Sequence, residues 1–238
     1  MYFVNLEYKA KLIKAFSDNV HTYHSKAHIQ KRVTASLLNI LPAIARPRIL
    51  EIGCGTGILT KLLIRKYPDA IFEITDISGL MLRECEKHCD ARNIKFFQMD
   101  GEKPFKNLGS YDLIVTSMTV HWFESPLTGI QRLSELGPLF YATIGKNNFR
   151  EWQDIVNSYG DKNVTFPVYD LPGVIKEEYF KLECHDFHSF AKDLKSMGVL
   201  LKHKSQVSLN YEKLRKAVKM FNEKNEKLSW HIIYGKTT

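Results

Sequence analysis

The sequence predicts an α/β fold in which a mostly parallel, Rossmann-like sheet is covered by helices. Two observations support this prediction. Between residues 48 and 144, short runs rich in β-branched and aromatic residues alternate with stretches of helical periodicity, which is typical of a parallel sheet with crossover helices. Within this region, residues 48–63 (RILEIGCGTGILTKLL) combine an apolar run, an acidic residue, closely spaced glycines and a second apolar run, the order expected of a nucleotide-binding strand, turn and helix.

Five strands and three helices are predicted in this central region. The strands are predicted at 48–52, 70–76, 94–99, 111–117 and 139–144. Helical patterns lie between them at 59–66, 79–90 and 127–136. Pro68, Pro104 and Pro138 fall in the intervening loops, where the fixed φ and missing N–H of proline cost least.

Further elements are predicted on both sides of this region. Before it, helices at 6–16 and 25–41 are separated by the polar stretch SDNVHTYHS, which is predicted to break the helical arm. After it, the sequence predicts a helix at 149–159, a turn at 170–173, a strand at 179–187, helices at 191–202 and 211–222, and a final strand at 228–234. The sequence contains no internal repeat and no low-complexity linker, so a single domain is predicted.

The composition is that of a globular protein. The 238 residues are 44% apolar and 25% charged, which suffices for a sizeable core. No apolar run approaches the roughly 18 residues that a membrane-spanning helix needs, and the N-terminal stretch carries charges where a signal peptide would be apolar. The four scattered cysteines do not form a disulfide framework in a chain of this length: Cys54, Cys85, Cys89 and Cys184. A cytoplasmic location is therefore expected.

The chain is basic, with a formal net charge of +8 and a pI of about 9.2, so an acidic partner is favoured. Two interpretations are open for this charge: solvated helix faces, or a docking surface for an acidic protein or nucleic acid. Much of the excess lies near the two ends of the chain, at Lys9, Lys11, Lys14, Lys26, Lys31, Arg32, Lys192, Lys195, Lys202, Lys204, Lys213, Arg215, Lys216 and Lys219.

The glycine spacing distinguishes between possible nucleotide ligands. Gly53, Gly55 and Gly57 are spaced G-x-G-x-G and follow Glu51, whereas dinucleotide-binding turns have G-x-G-x-x-G with a helix N-terminus aimed at a pyrophosphate. A tighter glycine turn lets the backbone pass close to a nucleoside that has no phosphate. S-adenosylmethionine is such a ligand, and Glu51 can meet its α-amino group directly or through water. The E-x-G-x-G-x-G arrangement resembles motif I of class I methyltransferases, which implies a seven-stranded sheet, mostly parallel, with the last strand antiparallel.

Two further acidic residues end successive predicted strands. Asp76 lies about 20 residues beyond the glycines, where a carboxylate can accept hydrogen bonds from both ribose hydroxyls. Asp100 ends the third predicted strand, where it can meet the adenine amino group, and Gly101 keeps space open beside it. Either aspartate alone fits a helix cap equally well, but together with Glu51 and the glycines they predict S-adenosylmethionine as the cofactor. The predicted cofactor-binding set is completed by Ile77, Met81 and Ser117.

The segment after the fourth predicted strand, within YDLIVTSMTVHWF, faces the transferred methyl group in this fold. Methylation of nucleic-acid amines usually leaves an N/D-P-P-Y motif here, and methylation of cytosine C5 leaves a catalytic cysteine. Neither is present. Ser117, His121 and Trp122 occupy the segment instead, so the basic charge does not by itself argue for RNA.

Four segments outside the glycine motif resemble one family over nearly the whole chain. The arm AFSDNVHTYHSKAHIQKRVTASLLNIL has Tyr23, Ala27 and Gln30 at the spacing of that family's opening. SMTVHWF resembles its S-N-x-x-x-Q-W-x pattern, with Met118 in place of the usual asparagine and His121 in place of the usual glutamine. SFAKDLKSMGVLLKH at 189–203 resembles its lid segment, and LSWHIIYGK its closing strand. The family is the malonyl-acyl carrier protein O-methyltransferase of biotin synthesis.

This resemblance implies one methyltransferase domain with a helical arm (1–45), a cofactor-binding core (46–187), a helical lid between the last two strands (188–226) and a final strand (227–238). It also implies methyl transfer from S-adenosylmethionine to the free carboxylate of malonyl-acyl carrier protein or malonyl-coenzyme A, which starts a pimeloyl chain for biotin. The acidic carrier protein would dock on the basic arm and lid. No nucleic acid, membrane or metal is expected.

Methylation of a carboxylate requires few catalytic groups from the protein. It is ionised at neutral pH, so no general base is required. Tyr23, His121 and Trp122 are predicted to orient the acceptor, with lid residues 190–201 closing over the thioester. Because a bare charge in a dry pocket is costly, a cation is expected beside the carboxylate. Lys146 and Arg150 are the candidates, although each also fits an exposed position.

Three alternatives stay open. The chain could methylate another small-molecule or carrier-bound substrate, or it could be a methyltransferase-like binding protein that keeps the cofactor pocket. Cys85, His88 and Cys89 share a helix face and could ligate a metal, but no fourth ligand is evident in the sequence and half-buried packing is the simpler interpretation.

Overall fold

The computed structural model describes residues 6–89, 93–159, 169–182, 186–196, 210–224 and 227–238. Within these residues the chain forms seven strands, nine α-helices and a short 3-10 helix. The strands are β1 (Arg48–Ile52), β2 (Ile71–Asp76), β3 (Ile94–Gln98), β4 (Leu113–Ser117), β5 (Leu139–Ile144), β6 (Val174–Lys181) and β7 (Ser229–Thr237). The helices are α1 (Leu6–Asp18), α2 (Val20–Lys26), α3 (His28–Ile40), α4 (Ile58–Lys66), α5 (Gly79–Lys87), α6 (Pro126–Ser134), α7 (Arg150–Asn157), α8 (Phe187–Ser196) and α9 (Tyr211–Lys224), and the 3-10 helix is Val120–Trp122.

All seven strands form one sheet in the order β3-β2-β1-β4-β5-β7-β6. The strands β3, β2, β1, β4 and β5 are parallel to one another, whereas β7 is antiparallel to both β5 and β6. The prediction of a mostly parallel sheet with an antiparallel last strand is therefore confirmed. The strand order changes direction between β1 and β4, and in open α/β sheets ligands bind at the carboxyl ends of the strands beside such a switch point.

The central strands are buried on both faces, which explains their continuous apolar runs. In β1, Ile49 belongs to a core cluster that includes Leu37 of α3 and Leu63 of α4. Leu50 belongs to a second cluster on the other face, with Ile130 of α6. Successive side chains of one strand thus enter different layers, as the period of two in a strand requires.

Helices from the two ends of the chain meet beside the sheet. Helix α3 packs on α4, β4 and β5, whereas α1 and α2 contact α5. Helix α2 also contacts α8, which in turn contacts α9. Helices α8 and α9 lie between β6 and β7 in the chain, the position predicted for the lid. None of the helices in the described part of the chain is both long and apolar enough to cross a membrane.

The sixth strand was predicted at the wrong place. The strand is Val174–Lys181 rather than 179–187, and it begins directly after Gly173, whose φ is +69°. This edge strand, VIKEEYFK, exposes most of its side chains and pairs only with β7. Its alternation of charged and apolar residues is too weak to reveal the strand, and the pairing with β7 decides it.

The predicted break in the arm was also wrong in part, because SDNVHTYHS contains most of helix α2. The sequence VHTYHSK has weak helix formers, and contacts with α5 and α8 stabilise the helix instead. Helix α8 begins at Phe187, before the predicted helix at 191–202, and residues 197–202 lie outside the described part of the chain. The same holds for Cys184 and for Asp90, the last residue of another predicted helix.

Candidate active site

The glycine turn between β1 and α4 forms one wall of the candidate site. Gly53, Gly55 and Gly57 have φ angles of +73°, +53° and +83°, a backbone conformation that residues with a Cβ rarely adopt. An added Cβ at Gly53 would lie 2.3 Å from the hydroxyl oxygen of Thr119. Glycine is therefore needed at Gly53 both for the turn and for its close approach to the loop after β4.

Asp76 lies beside this turn at the end of β2. Its Oδ1 accepts a hydrogen bond from the backbone N–H of Ser78 (2.8 Å), and its Oδ2 accepts one from the N–H of Gly55 (2.9 Å). Burial raises the pKa of Asp76 to about 6, and these backbone hydrogen bonds limit the rise. Asp76 thus has a local capping role and also lines the cleft, where its oxygens keep lone pairs for hydroxyl donors of a ligand.

Glu51 is completely buried behind the turn. Neither oxygen of its carboxylate has a hydrogen-bond partner of normal geometry among the described residues. Burial raises the pKa of Glu51 to about 8. An unpartnered buried carboxylate is costly, and a positively charged group of a ligand, met directly or through water, would offset that cost.

Asp100 follows β3 and is fixed by an ion pair that reaches it from the arm. Lys9 of α1 donates to Asp100 Oδ1 (3.3 Å) and to Glu102 Oε2 (2.8 Å). Glu102 also accepts from the backbone N–H groups of Glu124 (3.0 Å) and Ser125 (2.8 Å). Although burial acts to raise the pKa of Glu102, Lys9 and these backbone donors lower it below its usual value. Helix α1 is thereby fastened over one end of the cleft.

A cleft lies between the arm and the carboxyl ends of the strands. Its position, the buried carboxylate of Glu51 behind it and the fixed carboxylate of Asp76 fit the nucleoside and amino group of S-adenosylmethionine. Of the predicted cofactor residues, Gly53, Gly55, Asp76, Ile77, Met81, Asp100, Gly101 and Ser117 line the cleft. Glu51 and Gly57 lie outside its lining. The other lining residues are Lys9, Leu12, Phe16, Tyr23, Gln30, Thr34, Ile52, Cys54, Ile58, Leu59, Met99, Met118, Thr119, Trp122 and Phe123.

A second, smaller pocket, which we name the acceptor cavity, adjoins this cleft. The two share Tyr23, Gln30, Met118 and Trp122. The remaining residues of the acceptor cavity are His121, Ile144, Phe149, Leu194 and Trp230. All three residues predicted to orient the acceptor, Tyr23, His121 and Trp122, therefore come together here, and helix α8 contributes Leu194.

The polar groups of the acceptor cavity are uncharged at neutral pH. Desolvation lowers the pKa of His121 to about 3, and its Nδ1 is 2.9 Å from the hydroxyl of Thr143. Desolvation and the nearby charge of Asp76 raise the pKa of Tyr23, so its hydroxyl stays protonated. The described lining contains neither an acidic residue nor a lysine or arginine. It therefore offers hydrogen-bond donors, and desolvation makes the imidazole of His121 a weak base.

The fold and the central sequence region match known methyltransferases. Residues 49–136 match a family described as "Methyltransferase domain". Solved structures of similar fold include the YcgJ protein from Bacillus subtilis (TM-score 0.58, 13% identity, covering 86% of this chain and 97% of that chain). The [4+2]-cyclase SpnF is similar too (TM-score 0.53, 13% identity, covering 87% and 80%). At these identities the likeness shows the fold alone.

Sequence relatives decide the family. A malonyl-[acyl-carrier protein] O-methyltransferase of Magnetococcus marinus is 35% identical over 199 residues, which are 74% of this chain and 72% of that protein. The chain belongs to the malonyl-[acyl-carrier protein] O-methyltransferase family. The biotin biosynthesis bifunctional protein BioCD of Bordetella avium is 30% identical over 94% of this chain, which spans about half (51%) of that longer protein. This chain is thus an S-adenosylmethionine-dependent methyltransferase.

Two residues of this methyltransferase lie in a strained backbone conformation beside the acceptor cavity. Met118 and Phe149 have φ angles of +55° and +54°, and both line the acceptor cavity. Asparagine adopts such angles more readily than methionine, which gives a physical reason for the asparagine that the family pattern has where this chain has Met118. Strain of this kind concentrates at binding sites, so the acceptor cavity has a second mark of function.

The two residues predicted to pair with the substrate carboxylate, Lys146 and Arg150, lie away from the acceptor cavity. Lys146 is exposed, and Arg150 is exposed and pairs with Asp154 (3.6 Å). Neither lines the acceptor cavity. Sequence reasoning missed Lys9 as a lining residue of the cofactor cleft. Its only signal was a lysine within the apolar pattern of the first helix, and its partners are 91 and 93 residues away in the chain.

The cysteines near the glycine turn pack together. The Sγ atoms of Cys85 and Cys89 are 3.9 Å apart, and that of Cys85 is 3.3 Å from the Thr60 hydroxyl. Burial raises the pKa of Cys54 to about 12. His88 turns instead to Glu84, 3.1 Å away. Among the described residues, no group of three or more potential ligands is placed to hold a metal ion.

Proposed function

We propose that this methyltransferase transfers the methyl group of S-adenosylmethionine to the free carboxylate of a malonyl thioester. The observation that supports this acceptor is the acceptor cavity, which adjoins the cofactor cleft and offers hydrogen-bond donors but, in His121, only a weak base. An acceptor bound there must already be a nucleophile at neutral pH. A carboxylate meets this condition, whereas an alcohol would have to lose a proton. The names of the family members indicate the malonyl group.

In this proposal each acidic residue of the predicted cofactor set contacts a different part of S-adenosylmethionine. Glu51 meets the α-amino group, Asp76 accepts from the ribose hydroxyls, and Asp100 accepts from the adenine amino group. Lys9 keeps Asp100 in place through their ion pair (3.3 Å). The glycine turn allows the backbone to approach the nucleoside closely. When bound, S-adenosylmethionine supplies a methyl group activated by its positive sulfur.

Methyl transfer then needs orientation and exclusion of water. A carboxylate oxygen forms a bond to the methyl carbon while the carbon–sulfur bond breaks, and its electron pair stays on sulfur. The products are a methyl ester and a neutral thioether, and no proton moves. Tyr23 donates to the carboxylate from the boundary between the two cavities. Trp122, which packs edge-on against Phe16 of α1 (5.5 Å), helps to shield this boundary from solvent.

The acyl group arrives in this proposal on an acidic carrier protein in the cytoplasm. Much of the arm's charge is unsuited to docking, because Lys9 is buried and Lys11 and Lys14 pair within α1 with Glu7 and Asp18. Lys192 and Lys195 of α8 are exposed near the acceptor cavity, which Leu194 of the same helix lines. We therefore place the docking surface on α8. Lys202 and Lys204, also predicted to contribute, lie outside the described residues.

The proposal is tested by incubating the purified protein with S-adenosylmethionine and either malonyl-acyl carrier protein or malonyl-coenzyme A. Mass spectrometry should show the gain of one methyl group on the malonyl moiety. Acetyl thioesters, which have no free carboxylate, should remain unchanged. If the protein binds S-adenosylhomocysteine but methylates neither malonyl thioester, the proposed acceptor is wrong and another substrate must be sought.

A further inference from the structure

Trp230 is a buried donor without an acceptor. It lies on β7, is 7% exposed and lines the acceptor cavity. Its ring packs edge-on against Phe149 at 4.5 Å, but its Nε1 has no hydrogen-bond partner among the described residues. An indole N–H can only donate, and leaving such a group buried and unsatisfied is unfavourable.

The neighbouring polar side chains of the same strand are satisfied. Ser229 Oγ donates to Glu151 (2.6 Å), and the His231 ring nitrogen Nε2 lies 2.9 Å from Glu177. Tyr234 donates to Glu178 (2.5 Å). Each of these has a carboxylate as its partner. Trp230 alone of this group faces a cavity instead, so a ligand in that cavity is the natural source of its missing acceptor.

The chemistry of the cavity indicates the class of that acceptor. Its described lining has no lysine or arginine, and the Tyr23 hydroxyl is a second uncharged donor. Hydrogen bonds to an ionised oxygen are about twice as strong as those between neutral groups, so two such donors hold an anionic oxygen in place. Unlike a cation, they leave most of its negative charge available for attack. After methylation the oxygen is a weaker acceptor, which favours release of the ester.

We propose that Trp230 donates its indole N–H to the carboxylate of the acceptor and thereby selects thioesters that end in a carboxylate. This assignment rests on the proposed function and adds to it a specificity-determining residue. It predicts that the N–H, rather than the aromatic ring, distinguishes a malonyl thioester from an acetyl thioester.

The test compares wild type with Trp230→Phe, which keeps an aromatic ring against Phe149 but removes the N–H. Calorimetry with S-adenosylhomocysteine present gives dissociation constants for malonyl-coenzyme A and acetyl-coenzyme A without turnover. We expect Trp230→Phe to weaken malonyl-coenzyme A binding by roughly ten-fold or more, with acetyl-coenzyme A binding nearly unchanged. Trp152→Phe is the matched control, because Trp152 packs on Phe187 (4.2 Å) outside this cavity.

A second measurement does not depend on the folding of the Trp230 variant. The chain has three tryptophans, so the indole N–H of Trp230 can be assigned in the NMR spectrum of the wild type by eliminating those of Trp122 and Trp152. Malonyl-coenzyme A should move this resonance downfield, and acetyl-coenzyme A should not.

Different results would overturn different claims. If wild type prefers malonyl-coenzyme A and Trp230→Phe keeps the same preference, the assignment of Trp230 is wrong and the proposed function stands. An equal loss of affinity for malonyl-coenzyme A and acetyl-coenzyme A would show that Trp230 only shapes the cavity, and would also overturn the assignment. If wild type binds S-adenosylhomocysteine but neither malonyl-coenzyme A nor malonyl-acyl carrier protein, the proposed function fails, and the assignment fails with it.

Discussion

At the scale of single residues, the buried carboxylate of Glu51 is the clearest indication of a positively charged group in the cofactor. A carboxylate that is completely buried and unpartnered is unfavourable in the free protein. Since burial raises its pKa to about 8, we expect this group to carry a proton near neutral pH in the free protein and to lose it when a cation binds beside it. Because Glu51 should lose its proton when the cofactor binds, the affinity for the cofactor should depend on pH.

We expect the affinity for S-adenosylhomocysteine, which has the same amino group, to rise with pH between about 6 and 7.5. The free form holds a proton on Glu51, and an ammonium group beside it favours the ionised form, so binding releases that proton. The rise has an upper limit of about ten-fold per pH unit. Calorimetry in two buffers of different ionisation enthalpy measures affinity and proton release together.

In Glu51→Gln this pH dependence should be largely lost, with a weaker one below about pH 6 from Asp76, whose pKa is also raised to about 6. Glu86→Gln, an exposed change on α5, should behave as wild type. Unchanged proton release in Glu51→Gln would contradict the assignment of the amino group to this residue.

At the scale of elements, the buried cation of Lys9 holds helix α1 over one end of the cleft. Lys9 joins Asp100 and Glu102, with Lys9 and Glu102 both nearly inaccessible to solvent. A second contact joins the hydroxyls of Ser17 and Ser78 at 2.9 Å. Removing one partner of a buried ion pair leaves the other charges unpaired, which costs far more than the loss of an exposed pair.

Lys9→Met should therefore lower the free energy of unfolding by about 3 kcal/mol and weaken S-adenosylhomocysteine binding, because Asp100 loses its fixed orientation. Urea unfolding and calorimetry measure the two effects. The matched change is Lys11→Met in the same helix, which removes an exposed pair with Glu7 and should change the free energy of unfolding far less. Equal effects of the two substitutions would show that the buried pair does not fasten α1.

At the scale of the whole molecule, the lysines behind the net charge of +8 differ in how freely they can meet a partner. Lysines on α1 and α9 pair with acidic residues on the same helices, as Lys11 does with Glu7 and Lys216 with Glu212. Such exposed pairs contribute little to stability, but they reduce the field that an acidic partner meets. Exposed Lys192 and Lys195 on α8 lie on the side where the acceptor enters in our proposal.

Lys195→Glu should reduce kcat/KM for malonyl-acyl carrier protein several-fold at low ionic strength, with a smaller effect at high ionic strength where the charges are screened. Turnover of malonyl-coenzyme A should change little. The control is Lys95→Glu, an equal change of charge on β3 at the opposite edge of the sheet. A similar loss in both variants would indicate a general effect of net charge rather than docking on α8.

The sequence predicted strands most accurately where a local apolar run is also buried in the folded protein. Strands β1 and β5 were predicted to the residue, because both are short apolar runs buried on two faces. It was least informative at β6, whose exposed and charged residues form a strand through pairing with β7, and at α2, which depends on contacts with α5 and α8. Neither kind of contact is encoded in a local window.

By itself, the sequence determined the parallel core, the glycine turn and the acidic residues at the strand ends, since strand order and period fix these positions along the chain. Only the tertiary structure decided which side chains meet. It brought Lys9 to Asp100, placed Trp230 of the last strand in the same cavity as Tyr23 of the arm, and left Lys146 and Arg150 on the surface. The physical reason is that burial and pairing depend on residues far apart in the chain. Burial and pairing determine whether a carboxylate holds a proton and whether a hydrogen-bond donor lacks an acceptor.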